Sequence, residues 1–323
     1  MRILIVDGHA YAYRAFYAIR RLSSPAGRPT NAIYGFIKML AKMRATVKPT
    51  HAIVVWDGGL SAARRAVLPE YKAQRPEMPA DLGPQLDEIV RYLAAAKVAS
   101  FCRAGVEADD YIACVTRAAA QAGWEVVIAS ADKDFMQLVS LGAGGLGLGS
   151  GAKPESREPR PQTPDPRPES RGWIGLLNPN DKSETIWTAA QVRAKTGVTP
   201  EQIVDWLSLV GDSVDNIPGV PGVGPKTATE LLRQFGSVAE LYRRVAEVKS
   251  ARIRAALQAA EGDVRRNQKL VRLQDDLDCE FSPAALAEQP ADAGRLAELF
   301  GAWGFRSLRA ELEAEPARQE NLF

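Results

Sequence analysis

Three runs of aliphatic and β-branched residues punctuate the first part of the chain: RILIVD (2–7), HAIVVWD (51–57) and EVVIASAD (125–132). Each is apolar at nearly every position instead of alternating with polar residues. That is the pattern of strands covered on both faces, as in a parallel sheet. Between them, around 31–46, 81–96 and 109–122, the segments read as helices. The strand–helix rhythm predicts an α/β fold, a doubly wound and mostly parallel sheet with helices on both faces. WIGLLNP (173–179) reads as one further strand.

From 188 onward the pattern is helical. Thr188 reads as the cap of a helix that ends at Gly197, and Thr199-Pro200 opens another through EQIVDWLSLV. PKTATELLRQFG repeats that grammar, with Pro225 first, Ala228, Leu231, Leu232 and Phe235 on one face, and Gly236 closing it. The expected organisation is an α/β domain over 1–187, a helical domain over 188–312 and a flexible tail over 313–323. Within the first domain, GAGGLGLGSGAKPESREPRPQTPDPRPESRG (142–172) has too few apolar residues to build a core, and its composition is that of a disordered insertion.

Composition narrows the class. The 323 residues are 46% hydrophobic and 25% charged, as in globular proteins. No apolar run approaches the ~20 residues needed to span a bilayer. The start, MRILIVDG, reads directly as a strand without a leader, which with three unspaced cysteines suggests a reduced, cytoplasmic setting. Two histidines leave little room for zinc chemistry, and a net charge of +2 says nothing about nucleic acid by itself. The placement of charges carries more.

Three predicted strands finish on an aspartate: Asp7, Asp57 and Asp132. In open α/β sheets ligands bind outside the carboxyl ends of the strands. VEADDYIACV places Glu107, Asp109 and Asp110 at a helix start near that edge, DKD adds Asp134, and GDSVDN adds Asp212 and Asp215. A single strand-end aspartate is an ordinary turn or cap residue. So many converging carboxylates would instead repel one another unless a cation lay among them. Oxygen ligands of this kind suit Mg²⁺, with Mn²⁺ as a substitute. Two ions about 4 Å apart would activate a water and stabilise the leaving oxygen of a phosphodiester.

Basic and glycine-rich features point to nucleic acid. IPGVPGVGPKTA (217–228) reads as a helix-hairpin-helix, in which Gly222 and Gly224 let the backbone come close, and Lys226 and Thr227 stand at a helix start suited to phosphate. AARRAVLPEYKAQRPEMPADL places Arg64, Lys72 and Arg75 just after Asp57. It reads either as a solvated helix face or as a mobile clamp over a single strand, with Tyr71 available to stack on a base.

The stretches ILIVDGHAYAYRAFYAI, YKAQRPEMPADL, EADD, ADKDFMQLV and GDSVDNIPGVPGVGPKTATELL, in this order, resemble the 5′-nuclease (flap endonuclease) family, in particular the 5′-to-3′ exonuclease domain at the front of bacterial DNA polymerase I. The resemblance implies a PIN-like sheet and Mg²⁺-dependent phosphodiester hydrolysis near 5′ ends, on flaps, nicks and RNA primers. It also implies a K⁺ ion at the hairpin. By position, Asp7, Asp57, Glu107, Asp109 and Asp110 would serve a first metal, and Asp132, Asp134, Asp212 and Asp215 a second. Lys72 and Arg75 would contact the scissile phosphate. The chain departs from the family at Ala63, where an aromatic is usual, and at Gly58-Gly59, where a lysine is common. With no polymerase segment following, a free-standing, monomeric nuclease in replication and repair is expected. The last five residues, Gln319 to Phe323, fit the Gln-x-x-Leu-Phe pattern of bacterial sliding-clamp ligands.

Two other readings are weaker. A haloacid-dehalogenase-type phosphatase needs an aspartate where His9 stands and has no use for the hairpin. A DNA-binding module without catalysis would keep the acids' mutual repulsion to no benefit.

Overall fold

The structure is a computed structural model that describes residues 1–140, 172–179, 185–279 and 281–320, with 315–320 as backbone alone. Apart from Gly172, the Gly/Pro-rich stretch of 142–172 lies outside the described residues.

β1 (Arg2–Asp7) runs into α1 (Gly8–Ala18), followed by α2 (Asn31–Val47), β2 (His51–Trp56), α3 (Ala62–Val67), α4 (Gly83–Ala95) and β3 (Ala99–Cys102). α5 (Ala108–Gln121), β4 (Glu125–Ala129), a 3-10 turn (Lys133–Leu138), β5 (Ile174–Leu177) and β6 (Ile186–Trp187) complete the sheet-bearing half. The strands lie in the order β3-β2-β1-β4-β5-β6, parallel except for β6. From β1 the chain winds outward through β2 and β3, then returns to set β4 on the other flank of β1. The direction of winding therefore reverses between β1 and β4, the point at which doubly wound sheets open a crevice for ligands.

Alternation along the strands divides the core in two. Ile3, Ile5, Ile53, Val55, Val126 and Ile128 face one side, and Leu4, Val6, Val54, Val127 and Ala129 the other, all nearly inaccessible. This is why the strands read as unbroken apolar runs. β3 (ASFC) escaped that reading because it is a short edge strand, with residues alternating between half-buried and exposed.

The second half contains α6 (Ala189–Thr196), α7 (Ile203–Val210), the small antiparallel pair β7 (Gly211–Asp212) and β8 (Ile217–Pro218), and α8 (Pro225–Phe235). Then come α9 (Val238–Arg243), α10 (Ala251–Ala259), α11 (Glu261–Val271), α12 (Pro283–Leu286), α13 (Ala293–Trp303) and α14 (Arg306–Glu320). The helices up to α12 share a continuous core with α5 and one face of the sheet. α13 and α14 do not belong with them, which corrects the expected division at 188–312. Leu296, Leu299, Phe300, Trp303, Phe305 and Leu308 pack on the opposite face of the sheet with α2 and α4. There Tyr92 stacks on Phe300 and the Trp303 indole donates to Glu88. The apolar stripe of α13 completes the first half instead of the second.

Where a flexible tail is expected from 313, α14 continues to Glu320, through a segment rich in helix-forming Ala, Glu and Arg and supported by the Arg309–Glu313 pair. The last three residues of the clamp-like motif lie outside the described residues. No helix among the described residues is long and apolar enough to cross a membrane.

Candidate metal centre and nucleic-acid interface

The acids gather at the crevice between β1 and β4. Asp7 ends β1 and caps α1: one carboxylate oxygen accepts the Ala10 N–H at 3.1 Å, and the other accepts the Ser130 hydroxyl at 2.9 Å. β4 stops at Ala129, three residues before the expected Asp132, because the Ser130 hydroxyl accepts the Asp132 N–H and turns the chain. Asp132 thus stands on a loop just beyond the strand, capping the 3-10 turn through the Asp134 N–H at 2.9 Å. That turn swings the Asp134 carboxylate inward. Asp134, Asp212 of β7 and Asp215 in the turn to β8 then bring one carboxylate oxygen each within 4.8 Å of one another.

Electrostatics mark the cluster as short of positive charge. Burial, reinforced by Asp132 and Asp57, pushes the Asp7 carboxyl up to about 6. Burial and the neighbouring acids also hold Asp109, Asp132 and Asp134 above the usual carboxylate range. One oxygen of Asp134 is buried without any hydrogen-bond partner. An all-oxygen donor set with an orphaned buried acceptor and raised carboxyls is the environment a hard divalent cation relieves. The residues therefore fit such an ion.

Basic side chains lean into the same cluster. The Lys72 ammonium is buried 2.5 Å from Glu107 and 3.7 Å from both Asp109 and Asp215. Arg75 reaches Asp215 at 3.1 Å and Asp57 at 3.8 Å, and Lys133 reaches Asp212 at 3.1 Å. Burial alone would raise Glu107, but Lys72 and Arg64 outweigh it and hold the carboxyl below its usual range.

On the far side of Asp212 and Asp215 the chain forms a tight hairpin. A Cβ on Gly219 would lie 2.1 Å from the Val210 carbonyl oxygen, so the crossing of β7 and β8 requires glycine. Gly222 has φ +80°, and Gly224 stands in open space at the N-terminus of α8 with Lys226 exposed beside it. The free amides of α8 are thus presented outward, a geometry suited to phosphate. Next to them a concavity of ≈ 560 Å³ connects Lys133 with Lys195, Trp206, Lys226 and Arg233.

Comparison with known proteins identifies the assembly. The model for the 5′-3′ exonuclease N-terminal resolvase-like domain matches residues 2–143, and that for the 5′-3′ exonuclease C-terminal SAM fold matches 198–294. A 5′-3′ exonuclease of Aquifex aeolicus is 33% identical over 99% of both chains. The chain belongs to the 5′-3′ exonuclease family. DNA polymerase I of Bacillus caldotenax is 34% identical over 99% of this chain, which spans only 33% of that relative's length. Among solved structures, T5 5′-exonuclease with bound divalent metal ions (zinc) superposes with a TM-score of 0.63 at 22% identity, over 85% of this chain and 90% of that one. The catalytic core of Rad2 in complex with DNA substrate gives 0.60 at 16%, over 97% and 92%. At these identities the likeness is one of fold.

The structure places several of the expected site residues apart from the Asp134, Asp212 and Asp215 cluster. Asp110 does not join the other acids: both its oxygens are taken by Arg64, at 2.6 and 2.7 Å, and one also accepts the Gln274 N–H. Glu107 is likewise fully engaged, by the Ser61 N–H, Lys72 and the Tyr71 hydroxyl, and Asp57 lies at the partly exposed rim. Arg64 is only 4% exposed and donates further to the carbonyls of Leu270 and Arg272, so its guanidinium is turned into the protein. Tyr71, at 3% exposed, points its hydroxyl at Glu107 and Asp215 and has no free face for a base. The reason is common to both: α3 and the loop after it are packed down between α5, α11 and the β7–β8 turn, not held away as a clamp. The unusual Gly58 also has a cause, since a Cβ there would meet the Arg103 carbonyl oxygen at 1.7 Å.

Sequence reasoning missed Ser130, which ties Asp7 to Asp132, and Lys133, the only cation in DKD, whose position between two acids was a usable signal. It also missed His9 as the acceptor of the Asp57 N–H at 3.0 Å.

Proposed function

We propose that this family member is a Mg²⁺-dependent, structure-selective 5′ nuclease that hydrolyses DNA phosphodiesters near 5′ ends, as a 5′-3′ exonuclease at nicks and an endonuclease on 5′ flaps, including RNA-primed ends. One observation carries the reading: Asp134, with one carboxylate oxygen buried and without a partner, stands beside Asp212 and Asp215, and Asp215 is also met by Lys72 and Arg75.

Asp7, Asp109 and Asp132 would hold one ion, and Asp134, Asp212 and Asp215 a second, with Mn²⁺ able to substitute. Bound there, such ions supply an activated water and neutralise charge on the leaving oxygen. The rest belongs to the chain. Ser130 and the Asp134 amide keep the Asp7 and Asp132 carboxylates in place. Lys72 and Arg75 supply cations for the scissile phosphate and its developing charge. Gly222, Gly224, Lys226 and Thr227 grip the duplex backbone without reading sequence, and hairpin carbonyls would hold a K⁺ ion. Asp212 and Asp215 sit at the hairpin's base, so the gripped backbone and the acids keep a fixed separation. The protein acts as a monomer in the cytoplasm, in replication and repair. Gln319–Phe323 docks on the sliding clamp; removing 319–323 should abolish clamp binding in a pull-down and spare short-flap cleavage.

Incubation with 5′-flap, nicked and blunt duplexes, in Mg²⁺ or EDTA, tests the main reading. Cleavage should require the flap or nick and the metal. Asp132→Ala should lower it more than about a hundredfold, beyond the effect of losing a residue that merely orients a metal ligand. Full cleavage in EDTA would overturn the reading.

A further inference from the structure

The loop that carries Lys72 is fastened over the acids. Lys72 has a left-handed backbone (φ 56°), and its N–H donates to the Asp215 carbonyl at 3.1 Å. Asn216, also left-handed (φ 56°), returns a side-chain hydrogen bond to the Glu70 carbonyl at 2.9 Å. Non-glycine residues rarely adopt this conformation, and a straight four-carbon side chain gains nothing from it locally. Here it drives the Lys72 ammonium down among Glu107, Asp109 and Asp215, where it is 3% exposed. Arg75, on the same loop, covers Asp215 and Asp57 from outside. Thus one short segment supplies internal counter-charge to carboxylates from α5 and from the β7–β8 turn.

We propose that Lys72 is a built-in competitor of the metal, a positioning residue that holds the acid cluster closed until divalent ions displace it. The inference rests on the metal-dependent reading above. A divalent ion and the Lys72 ammonium cannot both sit against Asp109 and Asp215 at such spacing without strong repulsion in a buried site. Ion binding therefore frees the Lys72 ammonium and loosens the 68–76 loop, making the side chain available to a phosphate only after the metals are in place. Loading of metal and readiness for substrate become one event, and by linkage a bound phosphate that draws Lys72 away also tightens the metal.

Calorimetric titration of Mn²⁺ into the full chain without DNA tests this, comparing wild type with Lys72→Met and Lys72→Arg. Lys72→Met, which keeps length and removes charge, should bind the ion about tenfold more tightly, and Lys72→Arg should stay near wild type. In wild type, hydrogen exchange of amides 68–76 should accelerate on adding Mn²⁺, a measurement independent of any variant's folding. Equal or weaker binding by a folded Lys72→Met, or slower or unchanged exchange of 68–76 on metal addition, would overturn the proposal and leave the metal-dependent reading intact. Absence of Mn²⁺ binding by wild type would overturn both.

Discussion

The Arg64 guanidinium grips both carboxylate oxygens of Asp110, at 2.6 and 2.7 Å, across 46 residues of chain and out of reach of solvent. The pair nails α3 to α5, and through the Leu270 and Arg272 carbonyls it also nails α3 to the end of α11. Arg64→Ala leaves Asp110 as a buried charge without its partner and should destabilise the fold by about 3–5 kcal/mol. Urea unfolding measures this. A DNA contact at Arg64 would behave differently, lowering the salt dependence of binding by about one and sparing stability.

Asp134 is the acid with most to gain from a cation. In a chelator, Asp134→Asn replaces a buried carboxyl that burial and the neighbouring acids hold well above its usual range, and should raise the Tm of the metal-free chain. The same variant should lose most of the rise in Tm that Mn²⁺ gives the wild type. Thermal melts with and without the ion check both halves.

Stability without metal should fall as pH rises through the range in which the cluster ionises. Asp7 keeps its proton to about 6 in the folded chain against 3.8 ordinarily, and Asp109, Asp132 and Asp134 are displaced in the same direction. The folded state therefore binds more protons than the unfolded between those values, and its advantage is present at low pH and lost on the way up. In EDTA, Tm should be lower at about pH 7.5 than at about pH 5.5 by a few degrees. Millimolar Mn²⁺ should reverse the order, because the ion needs the deprotonated acids.

At the hairpin, Lys226 is exposed and makes no ion pair among the described residues. Lys226→Ala should reduce the slope of log affinity against log salt by about one for any duplex sequence, and leave unfolding within about 0.5 kcal/mol of wild type. Filter binding across a salt series reads the first and urea unfolding the second.

Much of the fold is legible because it is set locally. RILIVD, HAIVVW and EVVIA are buried on both sides and so carry no polar alternation, and Thr188 with Gln191 forms a capping box that starts α6 as the residues suggest. The termination of β4 at Ala129 was not legible, because the Ser130 hydroxyl, two residues before Asp132 and bonded to Asp7 of β1, decides where the strand lets go. Nor was the destination of α13, whose apolar stripe fits either half of the protein equally well when seen alone.

The sequence alone determined most of the central strands and several of the helices, where the acids fall along them, and that a glycine-rich turn precedes α8; spacing, capping and alternation are properties of neighbours. Tertiary structure decided which acids face one another. Asp109 and Asp110 are adjacent, yet successive helix residues point about 100° apart. Thus Asp109 feels Asp132 and Asp7, whereas Asp110 is claimed by Arg64 from α3. That choice depends on α3 and α11 arriving from distant parts of the chain, which no local pattern records.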